Sequence, residues 1–190
     1  MRHSLLILAT FCSAPAFAQS PVIDNATIDN SGKQYQGNLT VNQAAGDLQQ
    51  QANVRAFAVG HNANATTEVR QRLRTRVDSA IDAHSSIQGD AFSYGSGALG
   101  VNQSTGASNQ QANALRISLS TQPQSIDDSV LMQQNVALIN GSDPADSAPG
   151  HRQVTTSDQA FTGSRGVIQL NQSAGVGNRM ANTLSVRVAD

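Results

Sequence analysis

A segment of the form Gln-x-x-Gly-x-x-x-x-x-Ala-Asn occurs three times in this chain with identical internal spacing. The copies are Asn42-Gln43 … Gly46 … Ala52-Asn53, Asn102-Gln103 … Gly106 … Ala112-Asn113 and Asn171-Gln172 … Gly175 … Ala181-Asn182. The step from Asn42 to Asn102 is shorter than the step from Asn102 to Asn171, so the internal pattern is kept while the intervening lengths vary. That combination makes the pattern the structural unit and the rest spacer, as in repeat proteins whose units bury their faces only against one another.

Each copy alternates with period two. Leu39, Val41 and Gln43 share a face, as do Leu99, Val101 and Gln103, and Ile168, Leu170 and Gln172. A second alternation starts at the Asn: Asn113, Leu115, Ile117 and Leu119, then Asn182, Leu184, Val186 and Val188. Period two means strand, and Gly46, Gly106 or Gly175 among small and polar residues supplies the turn between. The fold expected is all-β: imperfect strand–turn–strand repeats that stack as a β-solenoid, or as cross-β arches completed against other copies, with partly disordered linkers.

The phase of the amides sharpens this expectation, because the repeated Gln and Asn fall on the same faces as the Leu, Ile and Val residues. A buried primary amide left unpaired costs about 1–3 kcal/mol, so it needs partners of its own kind. Equivalent amides in rungs stacked ~4.8 Å apart would provide them. The residues expected to build this ladder are Asn42, Gln43, Gly46, Asn53, Asn102, Gln103, Gly106, Asn113, Asn171, Gln172, Gly175 and Asn182. The alternative is that the amides are solvated turn flanks, which would not require one recurring spacing.

The first copy departs from the pattern. Arg55 stands where the others have Leu115 and Leu184, and Asp47-Leu48-Gln49 replaces Ala107-Ser108-Asn109. Its second strand is expected to close less well, which suits a terminal repeat with a partner on one side only. Phe92 and Phe161 each lie ten residues before their repeat Asn, which suggests a unit that begins earlier than its core, with an aromatic closing the end of the stack.

The spacers carry weaker signals. From Val69 to Ile81 apolar residues alternate with Arg70, Arg72, Arg74 and Arg76, a pattern that fits a strand or a short amphipathic helix. The Arg row reads as a solvated face, as a guard against edge-to-edge strand pairing, or as a contact for extracellular polyanions. The second spacer divides into an apolar, amide-bearing segment, Val130 to Ile139, and a turn-rich loop from Gly141 to Gly150 with Pro144 and Pro149. Gly95 to Gly100 matches a dinucleotide fingerprint by letter but lacks the flanking βαβ unit. His61, His84 and His151 lack metal-ligand spacing, and no nucleophile elbow or scaffolded carboxylate pair is present. No enzyme activity, cofactor, metal or small-molecule substrate is expected.

Arg2 and His3, the apolar run Leu5 to Phe11 and Ala16-Phe17-Ala18 together read as a secretory signal over residues 1–18. Cleavage there removes Cys12, leaving no thiol for disulfides, nucleophilic catalysis or thiolate metal sites. Aromatics make up only 4% and charged residues 13% of the chain, which argues against a compact aromatic-rich core and leaves room for hydrogen-bonded ladders. The net charge of −1 offers little repulsion between copies.

The copies Gly97 to Asn113 and Val167 to Asn178 resemble the repeats of bacterial functional amyloids. The resemblance is closest to the Fap system of Pseudomonas-type bacteria and looser to curli subunits, and it covers little more than a third of the chain. It departs at the copy-one turn and at Met180, which stands where the other copies have Gln51 and Gln111. The resemblance implies a chain secreted through the periplasm and an outer-membrane secretion pore to the cell surface. There it would assemble with itself and other amyloid subunits into biofilm-supporting, adhesive fibres as a major, minor or nucleating subunit. The alternative is a soluble accessory factor or chaperone that modulates assembly of another subunit. The organisation expected is signal 1–18, N-terminal segment 19–36, repeats at 37–59, 92–119 and 161–190, and linkers at 60–91 and 120–160.

Overall fold

A computed structural model describes residues 22–73, 80–121 and 150–189. The signal segment with Cys12, residues Arg74 and Arg76, the Val130–Ile139 segment and the loop from 141 to 149 lie outside the described residues. Among the described residues every regular element is a strand. In chain order these are β1 (Val22–Asp29), β2 (Gln36–Ala45), β3 (Gln50–Gly60), β4 (Ile81–Gln88), β5 (Ser96–Ala107), β6 (Gln110–Ser120), β7 (Arg152–Thr156), β8 (Arg165–Val176) and β9 (Arg179–Ala189).

The strands form three parallel sheets of three, ordered β1-β4-β7, β2-β5-β8 and β3-β6-β9. We name them sheets A, B and C. Consecutive strands in the chain belong to different sheets, so each rung is a serpentine of three strands, and rungs stack within one chain. The sequence offsets are the register: Asn102 pairs with Asn42 and with Asn171, and Asn113 with Asn53 and with Asn182. Parallel in-register pairing is what places like residues in columns.

Sheet B lies between the other two. Gln103 bonds to residues of β1 and β4, whereas Asn102 bonds to β3 and accepts from Asn113 of β6, so successive residues of β5 point into opposite interlayers. This explains why β5 is buried from Leu99 to Ala107 despite its alternating sequence. The main apolar cluster, Ile28, Tyr35, Ile87, Ala91, Phe92, Leu99 and Val101, fills the space between sheets A and B.

The two-strand repeat therefore needs a third strand. β1 lies in the segment read as N-terminal, β4 in the 60–91 linker and β7 in the 120–160 linker. These strands, VIDNATID, IDAHSSIQ and RQVTT, share no motif. Backbone pairing alone can hold a parallel strand whatever its side chains, so spacing within the repeat could not reveal them. In the second and third copies the repeat glycines do not end their strands: β5 and β8 run through Gly106 and Gly175 to the next residue, and the reversal comes at Ser108-Asn109 and Gly177-Asn178, whereas β2 stops just before Gly46.

The Arg-bearing spacer differs from the strand or helix expected over its described part. Residues 63 to 73 form neither strand nor helix. They run as an extended strap along sheet C, where the Ala65 amide donates to Ser118 Oγ and Gln71 donates to the carbonyls of Gln50 and Gln111. Under the strap the outward residues of β6, Ala112, Ala114, Arg116 and Ser118, are buried. The first rung also closes more fully than its sequence suggests, with β3 pairing to β6 over its whole length.

Candidate functional site

The repeated amides form columns along the stack. Asn102 Nδ2 donates to Asn42 Oδ1 at 3.0 Å, and Asn171 Nδ2 to Asn102 Oδ1 at 2.9 Å. Gln103 donates to Gln43 at 2.8 Å and Gln172 to Gln103 at 2.9 Å. Asn113 donates to Asn53 at 2.9 Å and Asn182 to Asn113 at 3.1 Å. In all three columns the third rung donates to the second and the second to the first, so the stack has a chemical direction.

The ladders also tie the layers together. Gln43, Gln103 and Gln172 each donate to a sheet A carbonyl of their own rung, at Thr27, Ser86 and Thr155. Across the B–C interlayer Asn53, Asn113 and Asn182 donate to the carbonyls of Val41, Val101 and Leu170. The central amides Asn102, Gln103 and Asn113 are at most 2% exposed, and each has both donors and acceptor engaged. Burial of such groups is tolerated because all of them are satisfied.

A fourth column was not among the ladder residues expected. Gln49 and Asn109 each donate to the carbonyl four residues back and to the glycine carbonyl of the next rung, and Asn178 donates to Asn109 Oδ1. The signal was present in the sequence: an amide stands six residues after each repeat Gln. The glycines fill a steric role beside it. Gly46, Gly106 and Gly175 have φ of 94°, 97° and 119°, and a Cβ at Gly106 would run into the Gly175 carbonyl.

Arg55 lies half-buried between sheets B and C and donates from Nη2 to the Leu39 carbonyl at 3.0 Å, while its Nη1 is buried without a partner. Its burial lowers the guanidinium pKa. It packs close to Gly100, whose missing side chain leaves room for it. Of the Arg row, Arg70 pairs with Glu68, and the Arg72 carbonyl accepts from Gln50 while its side chain is exposed. Both belong to the strap on sheet C.

At the two ends of the stack, β1, β2 and β3, and β7, β8 and β9, pair on one side only among the described residues. A parallel, in-register stack of rungs joined by amide ladders and open at both ends defines an amyloid-like β-solenoid. The chain belongs to the functional amyloid protein FapB/FapC family, whose family model matches residues 12–189. It is 30% identical over 156 residues to the functional amyloid subunit FapC of Pseudomonas aeruginosa, an alignment that covers 78% of this chain and 42% of that protein. The chain thus spans less than half the length of that relative. No solved structure matches it.

Proposed function

We propose that this chain is a self-assembling structural subunit of a functional amyloid fibre, exported through an outer-membrane pore to the cell surface, where the fibre supports biofilm and adhesion. The observation that carries the reading is that the same amide columns that join the rungs within the chain reach both open ends. A further copy placed there continues three sheets and at least three ladders with no change of register. Growth is then templated stacking, with each added rung repeating a contact that the chain already makes internally.

The test uses residues 19–190 diluted from denaturant and followed by thioflavin fluorescence, electron microscopy and fibre diffraction. Fibres with a meridional spacing near ~4.8 Å support the reading. A chain that stays monomeric at high concentration for weeks sinks it. If such a chain also shifts the lag time of a co-exported amyloid subunit, the role passes to an accessory factor.

A further inference from the structure

The stack ends differ in charge. The first rung, residues 22–60, carries Asp24, Asp29 and Asp47 against Lys33 and Arg55, while the third, 152–189, carries Arg152, Arg165, Arg179 and Arg187 against Asp158. Among the described residues, opposite signs fall in one paired column at one place only. In sheet A, Asp24 pairs with Ala83 and Ala83 with Arg152, so these residues occupy the same position in successive rungs. The position faces the glycine column of sheet B. Asp24 lies against Gly46, and a Cβ on Gly175 would come within 2.7 Å of Arg152 Cδ.

Resting on the stacking reading above, we propose that copies of this chain join head to tail, the third rung of one on the first rung of the next, with Arg152 of one copy pairing Asp24 of its neighbour. The pair sets both the polarity and the register of the junction.

Three observations converge on this arrangement. The columns of Asn42, Gln43 and Asn53 all donate from the third rung to the second and from the second to the first, and a head-to-tail contact continues them; a head-to-head contact reverses the strands and sets like ends against each other. The same register aligns apolar columns that both ends expose. Phe57, Ile117 and Val186 share one column and Val59, Leu119 and Val188 another, and Phe57, Val59, Val186 and Val188 are each at least 36% exposed. Finally, Asp24 is a poorly placed carboxylate in a single copy. Burial, then the nearby Asp47, raises its pKa, and a cation arriving in the column opposes that shift by favouring the charged carboxylate.

The experiment is a charge exchange between copies. Full-length mature wild type, Asp24→Arg and Arg152→Asp are compared in self-seeded elongation by thioflavin fluorescence, singly and as an equimolar mixture of the two variants. Each variant alone sets like charges at every junction and should elongate at least about tenfold more slowly than wild type. The mixture should recover to within about threefold of wild type, because alternation restores an opposite pair at every junction, and recovery also shows that each variant folds. Wild-type fibres with single variants elongating at the wild-type rate would overturn the junction while leaving the stacking reading intact. A mixture as slow as its components, together with an equally slow Asp24→Arg/Arg152→Asp double variant, would overturn it as well. Absence of wild-type fibres sinks the stacking reading and the junction with it.

Discussion

Phe92 of the second rung stacks on Phe161 of the third with ring centroids 5.4 Å apart and planes inclined by 19°. Both sit at φ near 60° in the arc between sheets A and B, and the first rung has Gly32 against the other side of the Phe92 ring. The aromatic column therefore begins at a glycine and leaves Phe161 partly exposed toward the open third-rung end.

Phe92→Ala should be the most damaging single truncation of the A–B interlayer. Phe92 is 1% exposed, so its loss removes apolar burial and leaves a cavity, at a cost of about 3–5 kcal/mol. Phe161→Ala should cost clearly less, since its ring is partly exposed. Denaturant midpoints of the two variants check the order; equal costs would mean that the stack does not carry the A–B contact as described.

Ladder position should decide the effect of amide loss. Gln103→Ala leaves the Ser85 hydroxyl and a Gln172 amide hydrogen without their acceptor and is expected to cost about 1–3 kcal/mol for each group orphaned. Gln43→Ala removes an end member and should cost less in the monomer. Asn113→Ala is expected to behave like Gln103→Ala. The readouts are denaturant stability and aggregation lag time, and equal effects at central and end positions would contradict the ladder.

Two glycines of the turn region should respond to substitution to very different extents. Gly106→Ala combines a φ of 97° with a backbone carbonyl in the space its Cβ needs, so the rungs must part there. Gly177 has a φ of 71° with nothing within 4 Å, and its equivalents Leu48 and Ser108 adopt φ of 56° and 58°. Gly177→Ala should therefore cost only about 1–2 kcal/mol. Comparing thermal midpoints of the two variants separates steric blockage from backbone preference.

Asp24 should make the single copy sensitive to acid in an unusual sense. Burial first, and Asp47 second, raise its pKa above the ordinary carboxylate value. A carboxyl with a raised folded pKa binds its proton more tightly when folded, so its contribution favours folding at low pH and is lost as pH rises through the folded value. Asp24→Asn should stabilise the soluble chain at neutral pH and make no difference in acid strong enough to protonate the carboxyl in both states, as measured by urea midpoints across pH. A variant less stable than wild type at neutral pH would show that the carboxylate is already well paired within one copy.

The equivalence of β2, β5 and β8, and of β3, β6 and β9, was legible because three copies share one internal spacing, whereas their parallel stacking within one chain came from the structure. Period-two alternation identified the strands, and the coincidence of Gln and Asn with the apolar phase marked the ladder. Sheet A left no such trace. Its register to sheet B also shifts: Val22 pairs with Ile81 and Gln36 with Ser96, so the step along the chain is one longer in sheet B, and the extra residue is absorbed in the arc that contains Gly89. The described part of the Arg-bearing spacer, up to residue 73, lies in a strap that alternation alone did not reveal. Ala63 and Ala65 are buried against sheet C while their neighbours face outward.

What the sequence determined by itself is which residues of the three copies are equivalent, since identical spacing and amide chemistry match them one to one. What only the tertiary structure decided is that a third, motif-free sheet covers the second, so that Gln43, Gln103 and Gln172 reach carbonyls of one layer while Asn42, Asn102 and Asn171 meet another. The physical reason is that columns depend on side-chain identity, whereas backbone hydrogen bonding recruits any extended strand able to lie beside its neighbour.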